Sequence, residues 1–407
     1  MDKLEFLVKN KNSNLKNRQL HQKRSIIRYL AKSNEPLSIP EISNFIKTSV
    51  PTATKLTKEL LQGKYIVEEG KKETDNGRRP TAYALNTEKF YVVGVEVLEK
   101  FIHASVVNIN LESVHQAFNR NFKLEYSEEC LNEIVQFIRQ MITDSGIHAD
   151  QIIGVGIGMT ESVIGKIDEP IKYFDDESLS LRQYLKKELE WPVIIDNDTR
   201  AIGIAEQVMG KAKGVENALI VKVSRKLGLS IILNRAIILG GTGIAGNLAH
   251  LRFKGGERLC ACGKQGCLGT EVSGDALLLD LIEALNNGEK SLHFQPEKLK
   301  DYQYHDILDA VLNGDPLAIK LLQRQGDKLG QALGNVINLL NPDLIVIGGE
   351  FVMVKDFLLD AVKIGTKKTA LLTSLIACQI EASSLGRYLS SKAGACMLLK
   401  ACDMVDY

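Results

Sequence analysis

Three cysteines and one histidine stand close together in the chain, and few local folds can accommodate such a group. His250 is followed after nine residues by Cys-x-Cys-Gly-x-x-Gly-Cys, whose thiols are Cys260, Cys262 and Cys267. One histidine and three thiolates complete the tetrahedral shell of a structural Zn²⁺ site and leave no open position. The intervening glycines let a short loop fold back so that its sulfurs converge. The pattern predicts one structural zinc ion per chain, with reduced thiols or a redox pair as the alternatives.

Cysteine use elsewhere in the chain indicates the compartment. The other four cysteines, Cys130, Cys378, Cys396 and Cys402, are scattered, and a total of seven cannot all pair. Such usage is typical of a reducing environment. No apolar run approaches the roughly 18 residues that a membrane span needs, and the first residues lack the apolar core of a signal peptide. We therefore expect a cytoplasmic protein that makes no membrane contact.

Charge is divided unevenly along the 407 residues. Residues 1–90 hold 18 Lys and Arg against 10 Asp and Glu, whereas the rest of the chain holds 33 against 40. A basic head on an acidic body predicts that the head binds a polyanion, and a solvated basic face is the alternative. At roughly 100–200 residues per domain, this length predicts two to four domains.

The head carries the pattern of a helix-turn-helix, preceded by a basic arm at residues 1–19. Apolar residues at helical spacing predict a first helix over 20–34. Ser38 and Glu41 form a capping box that predicts the start of a second helix. Ser49 can cap a third helix, which a glycine at position 63 would end.

A basic hairpin follows the third helix and completes a winged helix-turn-helix over residues 20–87. A turn dipeptide, Asn76-Gly77, lies between two short strand-like segments. Short polar side chains and cations on the third helix suit a major groove, and wing cations suit phosphates or the minor groove. The residues predicted to contact DNA are Ser49, Thr52, Thr54, Lys55, Lys58, Lys71, Lys72, Arg78 and Arg79. A three-helix module that holds another protein is the alternative interpretation.

Beyond residue 90 the sequence alternates strand-like and helix-like segments. This alternation predicts an α/β body with largely parallel sheets. The predicted strands are 91–97, 102–109, 152–157, 193–195, 218–223, 229–233 and 344–347. The predicted helices are 131–141, 201–209, 277–285 and 318–337.

Three segments of the body resemble the signature of the ROK family of repressors, open reading frames and kinases. They are residues 241–250, the cysteine cluster and residues 270–274, and the Gly-Arg-Arg-Pro wing at 77–80 resembles the family's repressor branch. That branch includes xylose and N-acetylglucosamine repressors. The resemblance covers roughly residues 20–400.

The resemblance implies a particular architecture. A winged helix would precede a two-lobed, actin-like fold of the sugar kinase and ribonuclease H type. The smaller lobe would comprise residues 88–198 and 389–407, and the larger lobe residues 199–388 with the zinc ligands His250, Cys260, Cys262 and Cys267. A homodimer or homotetramer is also implied.

The two phosphate loops of the family's kinases are degraded in this chain. The first corresponds to residues 94–100, where the loop glycines are gone and Glu99 adds a negative charge. The second corresponds to residues 224–230, where one glycine of five remains. A later pair, Gly348-Gly349, is retained. Asn197-Asp198 matches the family's catalytic pair, and Asp198 would be a general base only in a kinase. The chain is therefore predicted not to be an enzyme.

The sugar contacts implied by the resemblance are also altered. Asn247 stands in place of one family glutamate and Gly269 in place of another, while Glu271 lies two residues later. The loss of these carboxylates removes charge-assisted hydrogen bonds worth ~1.5–3 kcal/mol each. The ligand-binding residues predicted from the resemblance are Asn197, Asp198, Asn247, His250 and Glu271. A vestigial pocket is the alternative.

The sequence favours a sequence-specific, DNA-binding transcriptional regulator of the ROK type. It would bind operator double-stranded DNA and control carbohydrate-utilisation genes, with a sugar-like effector in a degenerate kinase cleft. One alternative is an ATP-dependent sugar kinase with a DNA-binding head. Another is an interaction module that sequesters a protein partner.

Overall fold

The computed structural model describes residues 15–33, 35–72, 79–125, 127–160, 181–386 and 389–405. The chain forms two compact units, one of residues 1–201 and 390–407 and the other of residues 202–389. The domain boundaries expected from the sequence, at residues 87, 198 and 388, remain predictions. Each unit is described below by itself.

The head of the first unit consists of helices followed by a hairpin. Its elements are α1 (Leu15–Lys32), β1 (Leu37–Ser38), α2 (Ile39–Phe45), α3 (Val50–Gln62), β2 (Ile66–Lys71) and β3 (Thr81–Leu85). The strands form an antiparallel sheet in the order β1-β3-β2. The prediction of a first helix over 20–34 was wrong at its start, because α1 takes in residues 15–19 of the predicted arm. Residues 1–14 lie outside the described residues.

Apolar residues at helical spacing build the core of the head. Ile26 and Ile27 of α1 and Ala53, Leu56 and Leu60 of α3 are buried. Each helix therefore packs one apolar face inward, which is what holds a short helix in place.

The predicted start of α2 is confirmed by its capping contacts. The Glu41 carboxylate accepts hydrogen bonds from the backbone N–H of Ser38 at 2.8 Å and from its hydroxyl at 2.6 Å. The Ser38 hydroxyl thus donates to Glu41 and does not accept from the helix backbone. The carboxylate satisfies an N–H group that the first turn leaves unpaired.

The rest of the first unit is an α/β layer. Its elements are β4 (Tyr91–Val97), β5 (Ile102–Asn108), β6 (Ser113–Asn119), α4 (Glu128–Asp144), β7 (Ile152–Met159), α5 (Leu181–Leu189), β8 (Val193–Asn197) and α12 (Leu389–Ala401). The sheet order is β6-β5-β4-β7-β8. The pairs among β6, β5 and β4 are antiparallel, and those among β4, β7 and β8 are parallel.

Helix α12 approaches this sheet closely enough to touch its backbone. A Cβ atom at Gly94 of β4 would lie 1.9 Å from the carbonyl oxygen of Ser391, and one at Gly156 of β7 would lie 1.8 Å from that of Gly394. Such distances exclude any side chain at either position. Glycines on both elements therefore set the separation between helix and sheet.

The second unit repeats the mixed pattern. Its elements are α6 (Asp198–Met209), which begins in the first unit, then β9 (Ala218–Val223), β10 (Leu227–Leu233), β11 (Ala236–Ile237), α7 (Gly274–Asn286), α8 (Tyr304–Leu312), α9 (Pro316–Leu340), β12 (Leu344–Gly348), α10 (Lys355–Thr366), α11 (Leu372–Ala377) and β13 (Gln379–Ala382). The sheet order is β11-β10-β9-β12-β13, with β9, β12 and β13 parallel to one another and the other pairs antiparallel.

The expectation of largely parallel sheets was wrong. Each unit joins an antiparallel meander to a parallel layer, so half of the strand pairings in each five-stranded sheet are antiparallel. The sequence prediction also missed β1, β6, β11, β13, α5, α8, α10, α11 and α12. No helix in the described part of the chain is long and apolar enough to cross a membrane.

Candidate functional site

The four predicted metal ligands converge in the second unit. The ligand atoms of His250, Cys260, Cys262 and Cys267 all lie within 4.8 Å of one another. Cys260 Sγ is 3.7 Å from His250 Nδ1, and Cys262 Sγ is 3.6 Å from Cys267 Sγ. A zinc shell with Zn–S bonds of about 2.3 Å and Zn–N bonds of about 2.0 Å separates its ligand atoms by roughly 3.5–3.8 Å. The cluster therefore fits a divalent metal with nitrogen and sulfur ligands.

A tight hairpin brings the three sulfurs together. The backbone N–H of Cys260 donates to the carbonyl of Lys264, and that of Gly263 donates to the carbonyl of Cys260. Gly263 and Gly266 have φ values of +83° and +74°, a region that favours glycine. The predicted role of the loop glycines agrees with this geometry.

The thiols of the cluster differ in their environments. The backbone N–H of Lys264 donates to the exposed sulfur of Cys262 and lowers the pKa of that thiol. Burial, together with the neighbouring thiols, raises the pKa of Cys267 to about 11. A bound metal requires thiolates, so its binding would displace the proton that the Cys267 thiol holds.

The predicted DNA-contacting residues of α3 lie on its solvent side. Lys55 and Lys58 are exposed and form no ion pair within the described ranges. The hydroxyl of Thr54 donates to the carbonyl of Val50 at 2.8 Å, and the hydroxyls of Ser49 and Thr52 bond each other at 2.9 Å. The ammonium groups of these two lysines are therefore available to bind an external anion.

Some of the predicted wing residues already form ion pairs within the head, and others are exposed. Lys72 Nζ lies 2.7 Å from the Glu41 carboxylate and 3.9 Å from that of Glu35. Lys71 and Arg79 are exposed. Arg78 lies outside the described residues. The Lys72–Glu41 pair was not predicted, since the two residues are separated by 31 positions.

The Lys72–Glu41 ion pair shifts the pKa of both groups. Burial alone would raise the pKa of Glu41, but hydrogen bonds from Lys72 and Ser38 lower it to about 2. The same hydrogen bond raises the pKa of Lys72. Both groups stay ionised at neutral pH, and the charge of Lys72 is balanced within the head.

The Asn197-Asp198 pair lies where β8 passes into α6. Asn197 Oδ1 accepts from the backbone N–H groups of Thr199 and Arg200, at 3.0 and 3.3 Å, and so caps the helix. Asp198 is buried, and its Oδ1 accepts from the N–H of Thr199 at 2.7 Å. The Arg200 guanidinium forms a buried ion pair with Asp196. Sequence reasoning missed this pair, although the two residues are only four positions apart.

The other predicted ligand residues, Asn247, His250 and Glu271, lie in the second unit. Asn247 and His250 are exposed, and Asn247 immediately precedes a short 3₁₀ helix. Glu271 is buried and paired with Lys328 of α9 at 2.5 Å. Lys328 was missed because 57 residues separate it from Glu271. The predicted ligand set is thus divided between the two units of the chain.

The segment that corresponds to the second phosphate loop is held by internal contacts. Arg225 Nε donates to the Asp275 carboxylate at 3.0 Å. The carbonyl of Ser224 accepts from the N–H of Gly274 at 2.8 Å, and its hydroxyl accepts from the N–H of Glu350 at 3.3 Å. The segment is therefore tied to the start of α7 and to the turn after β12.

Glu350 follows the retained glycine pair, and its carboxylate contacts two side chains of α8. Gly349 has a φ of +85°, and a Cβ there would lie 2.4 Å from the carbonyl oxygen of Val223. The Glu350 carboxylate accepts from the hydroxyl of Tyr304 and lies 3.0 Å from His305 Nε2. Burial alone would raise the pKa of Glu350, but these hydrogen bonds and the nearby Lys222 hold it below its usual value.

Known sequences similar to this chain include repressors. A profile described as the ROK family matches residues 92–401. The xylose repressor of Caldicellulosiruptor bescii is 24% identical over 358 residues, which cover 86% of this chain and 89% of that protein. The N-acetylglucosamine repressor of Escherichia coli O6:H1 is 27% identical over 339 residues, which cover 81% and 80%. Such coverage takes in part of the head as well as the body.

Two solved structures share the fold. One is described as a ROK family transcriptional regulator, a homologue of the E. coli MLC protein. It matches with a TM-score of 0.76 and 22% identity over 95% of this chain and 97% of its own. The other is a ROK family glucokinase from Streptomyces griseus, with a TM-score of 0.63 and 21% identity over 76% of this chain and 98% of its own. The predicted fold class, a winged helix-turn-helix before a two-lobed, actin-like ROK domain, is confirmed.

Proposed function

The chain belongs to the ROK family, and we propose that it is a sequence-specific DNA-binding regulator of carbohydrate-utilisation genes. The observation that carries the proposal is the exposed face of α3, where Lys55 and Lys58 form no ion pair with a described residue. An antiparallel pair of strands with Lys71 and Lys72 at its end follows this helix. Named repressors that align with both head and body support it. Repression and activation are both compatible with this role.

The head would bind operator double-stranded DNA through α3 and the wing. Helix α3 would enter the major groove, and the cations Lys71, Lys72, Arg78 and Arg79 would contact phosphates or the minor groove. A homodimer or homotetramer would present two heads to half-sites spaced about one helical turn, ~34 Å, or a multiple of it.

We propose that the metal at His250, Cys260, Cys262 and Cys267 is a structural zinc ion. The donor set carries this assignment, since one imidazole and three thiolates form a closed tetrahedral shell. The ion would fasten the hairpin 258–267 to the 3₁₀ turn that ends at His250. It would brace the fold and would take part in no reaction.

A carbohydrate-type effector would control DNA binding. In the second unit it would contact Asn247, His250 and Glu271. Asn197 and Asp198 of the first unit remain predicted ligand residues. Glu271 would act together with Lys328, because the two side chains are already paired. The effector must bind one arrangement of the heads more tightly than another, and such coupling is typically ~1–3 kcal/mol.

Replacing Lys55 by alanine is expected to weaken operator binding about tenfold, because the change removes one cation from the face that meets DNA. Gel-shift titrations with DNA upstream of the protein's own operon, at one fixed ionic strength, measure the effect. Lys290→Ala is the matched control, since Lys290 is exposed and belongs to the second unit. Equal affinities of the Lys55→Ala protein and the unchanged protein would place the recognition surface elsewhere.

A second candidate function is an ATP-dependent sugar kinase with a DNA-binding head, which the retained Asp198 favours. The internal contacts of the second phosphate loop argue against it. Asp275 already pairs with Arg225, and the Ser224 hydroxyl already accepts from the backbone N–H of Glu350. A nucleotide triphosphate there would meet a cation that is already paired and few backbone donors.

We accordingly expect no sugar-dependent release of ADP. A coupled assay across neutral hexoses, pentoses and N-acetyl sugars measures it, with the Asp198→Asn protein as the control. Turnover in the unchanged protein that disappears in the Asp198→Asn protein would establish the kinase and refute the prediction of no enzymatic activity.

A further inference from the structure

A pocket of about 350 Å³ opens at the metal-ligand cluster of the second unit, and two of the four ligands line it. It is lined by His250, Arg252, Lys264, Gln265 and Cys267. We propose that this pocket binds a compact oxyanion, namely phosphate, a phosphate ester or a small dicarboxylate. The proposal does not rest on the DNA-binding role, and the pocket shares only His250 with the effector residues named above.

The backbone holds the lining residues in place. Arg252 forms an isolated antiparallel bridge with Cys267, and Gln265 forms another with Leu259 across the hairpin. The carbonyl of Lys264 accepts from the N–H of Cys260 at 2.8 Å. Arg252, Lys264 and Gln265 thus belong to one hydrogen-bonded ribbon, so their backbone is already ordered before a ligand binds.

The two cations of the pocket have no acidic partner. Arg252 and Lys264 are exposed, and neither side chain forms an ion pair or a hydrogen bond with any residue the structure describes. Nearby cations of the same unit are used differently. Arg258 pairs with Asp280 and Glu283, and Lys328 pairs with Glu271. The pocket therefore offers positive charge that the fold leaves unbalanced.

The charge of a metal cluster does not cancel these cations. A divalent ion with three thiolates and a neutral imidazole carries one net negative charge. Two cations beside it leave one positive charge in excess. The guanidinium of Arg252 can bind an oxyanion through two parallel hydrogen bonds, Lys264 can add a point charge, and the Gln265 amide can donate a further hydrogen bond.

The size of the pocket limits the ligand. Ligand pockets commonly span about 300–1,000 Å³, so a volume near the lower end suits a compact molecule. Neutral sugars would leave both cations unpaired and gain little from the site. The geometry thus selects for charge and small size together.

Binding can be measured with inorganic phosphate, glycerol 3-phosphate and malonate on the metal-loaded, full-length chain at constant ionic strength. Ligand-observed NMR titrations give the dissociation constants, and metal analysis of each variant shows that the cluster is intact. We expect saturable binding of at least one probe. A preference for glycerol 3-phosphate would identify an ester, and a preference for malonate a dicarboxylate.

Arg252→Gln and Lys264→Gln are each expected to weaken binding about tenfold or more, since each removes one charge-assisted contact. Lys254→Gln is the matched control, because Lys254 is an exposed lysine near Arg252 but does not line the pocket. It should bind within about twofold of the unchanged protein. No saturable binding of any probe, or equal affinity in the Arg252→Gln/Lys264→Gln protein with its metal retained, would overturn the proposal.

Discussion

Replacing Gly156 by alanine is expected to destabilise the first unit by about 3 kcal/mol or more. The new methyl group would lie 1.8 Å from the carbonyl oxygen of Gly394, so α12 must move away from β7. A shift of this kind would also disturb the contact between Gly94 and Ser391. The midpoint of thermal unfolding should fall by roughly 6–12 °C for a unit of this size.

Gly241→Ala is the matched control for this substitution. Nothing lies within 4 Å of a Cβ at Gly241, and its φ is ordinary, so alanine should be accepted without strain. Circular dichroism melts of both variants provide the comparison. A Gly156→Ala protein that melts within about 2 °C of the unchanged protein would contradict the close packing of helix and sheet.

Replacing Cys262 by serine is expected to abolish metal binding and to lower the free energy of unfolding of the second unit by at least about 3 kcal/mol. The thiol of Cys262 is exposed, so the loss of a metal ligand, and not a packing defect, would cause the change. Metal analysis should give about one zinc ion per chain before the substitution and almost none after it. Chelation of the unchanged protein should have the same effect on its thermal unfolding.

Ala261→Ser tests whether any change in the hairpin has this effect. Ala261 is exposed and stands between two of the ligands, but it offers no metal-binding atom to the cluster. This variant should keep both its metal and its stability. A metal-free protein that is as stable as the metal-loaded one would refute the structural role of the ion.

Local patterns predicted the parts of the fold that depend on neighbouring residues. Ser38 and Glu41 predicted the start of α2 correctly, because their contact lies within one turn. Ser49 stands at the predicted N-cap of α3, although its hydroxyl bonds that of Thr52 and not the helix backbone. The metal-ligand cluster was found for the same reason. Its three thiols span eight positions, and the histidine lies only ten before the first of them.

Contacts between distant residues could not be predicted in this way. Nothing in the sequence near Glu271 reveals Lys328, and nothing near Gly156 reveals Gly394. The mixed sheets were missed because a buried strand has the same composition whether its neighbour is parallel or antiparallel. The free cations beside the metal cluster became visible only when the ion pairs of the surrounding residues were known.

The ion pair between Lys72 and Glu41 affects how strongly the DNA affinity of the head would depend on salt concentration. A lysine without an ion-pair partner releases condensed counterions when it neutralises a DNA phosphate. Each such contact steepens the slope of log K against log salt concentration by about 0.9. Lys72 already has a carboxylate as its counterion, so its contact with a phosphate would exchange one partner for another and release little. Lys55, Lys58 and Lys71 would therefore contribute to that dependence more than Lys72.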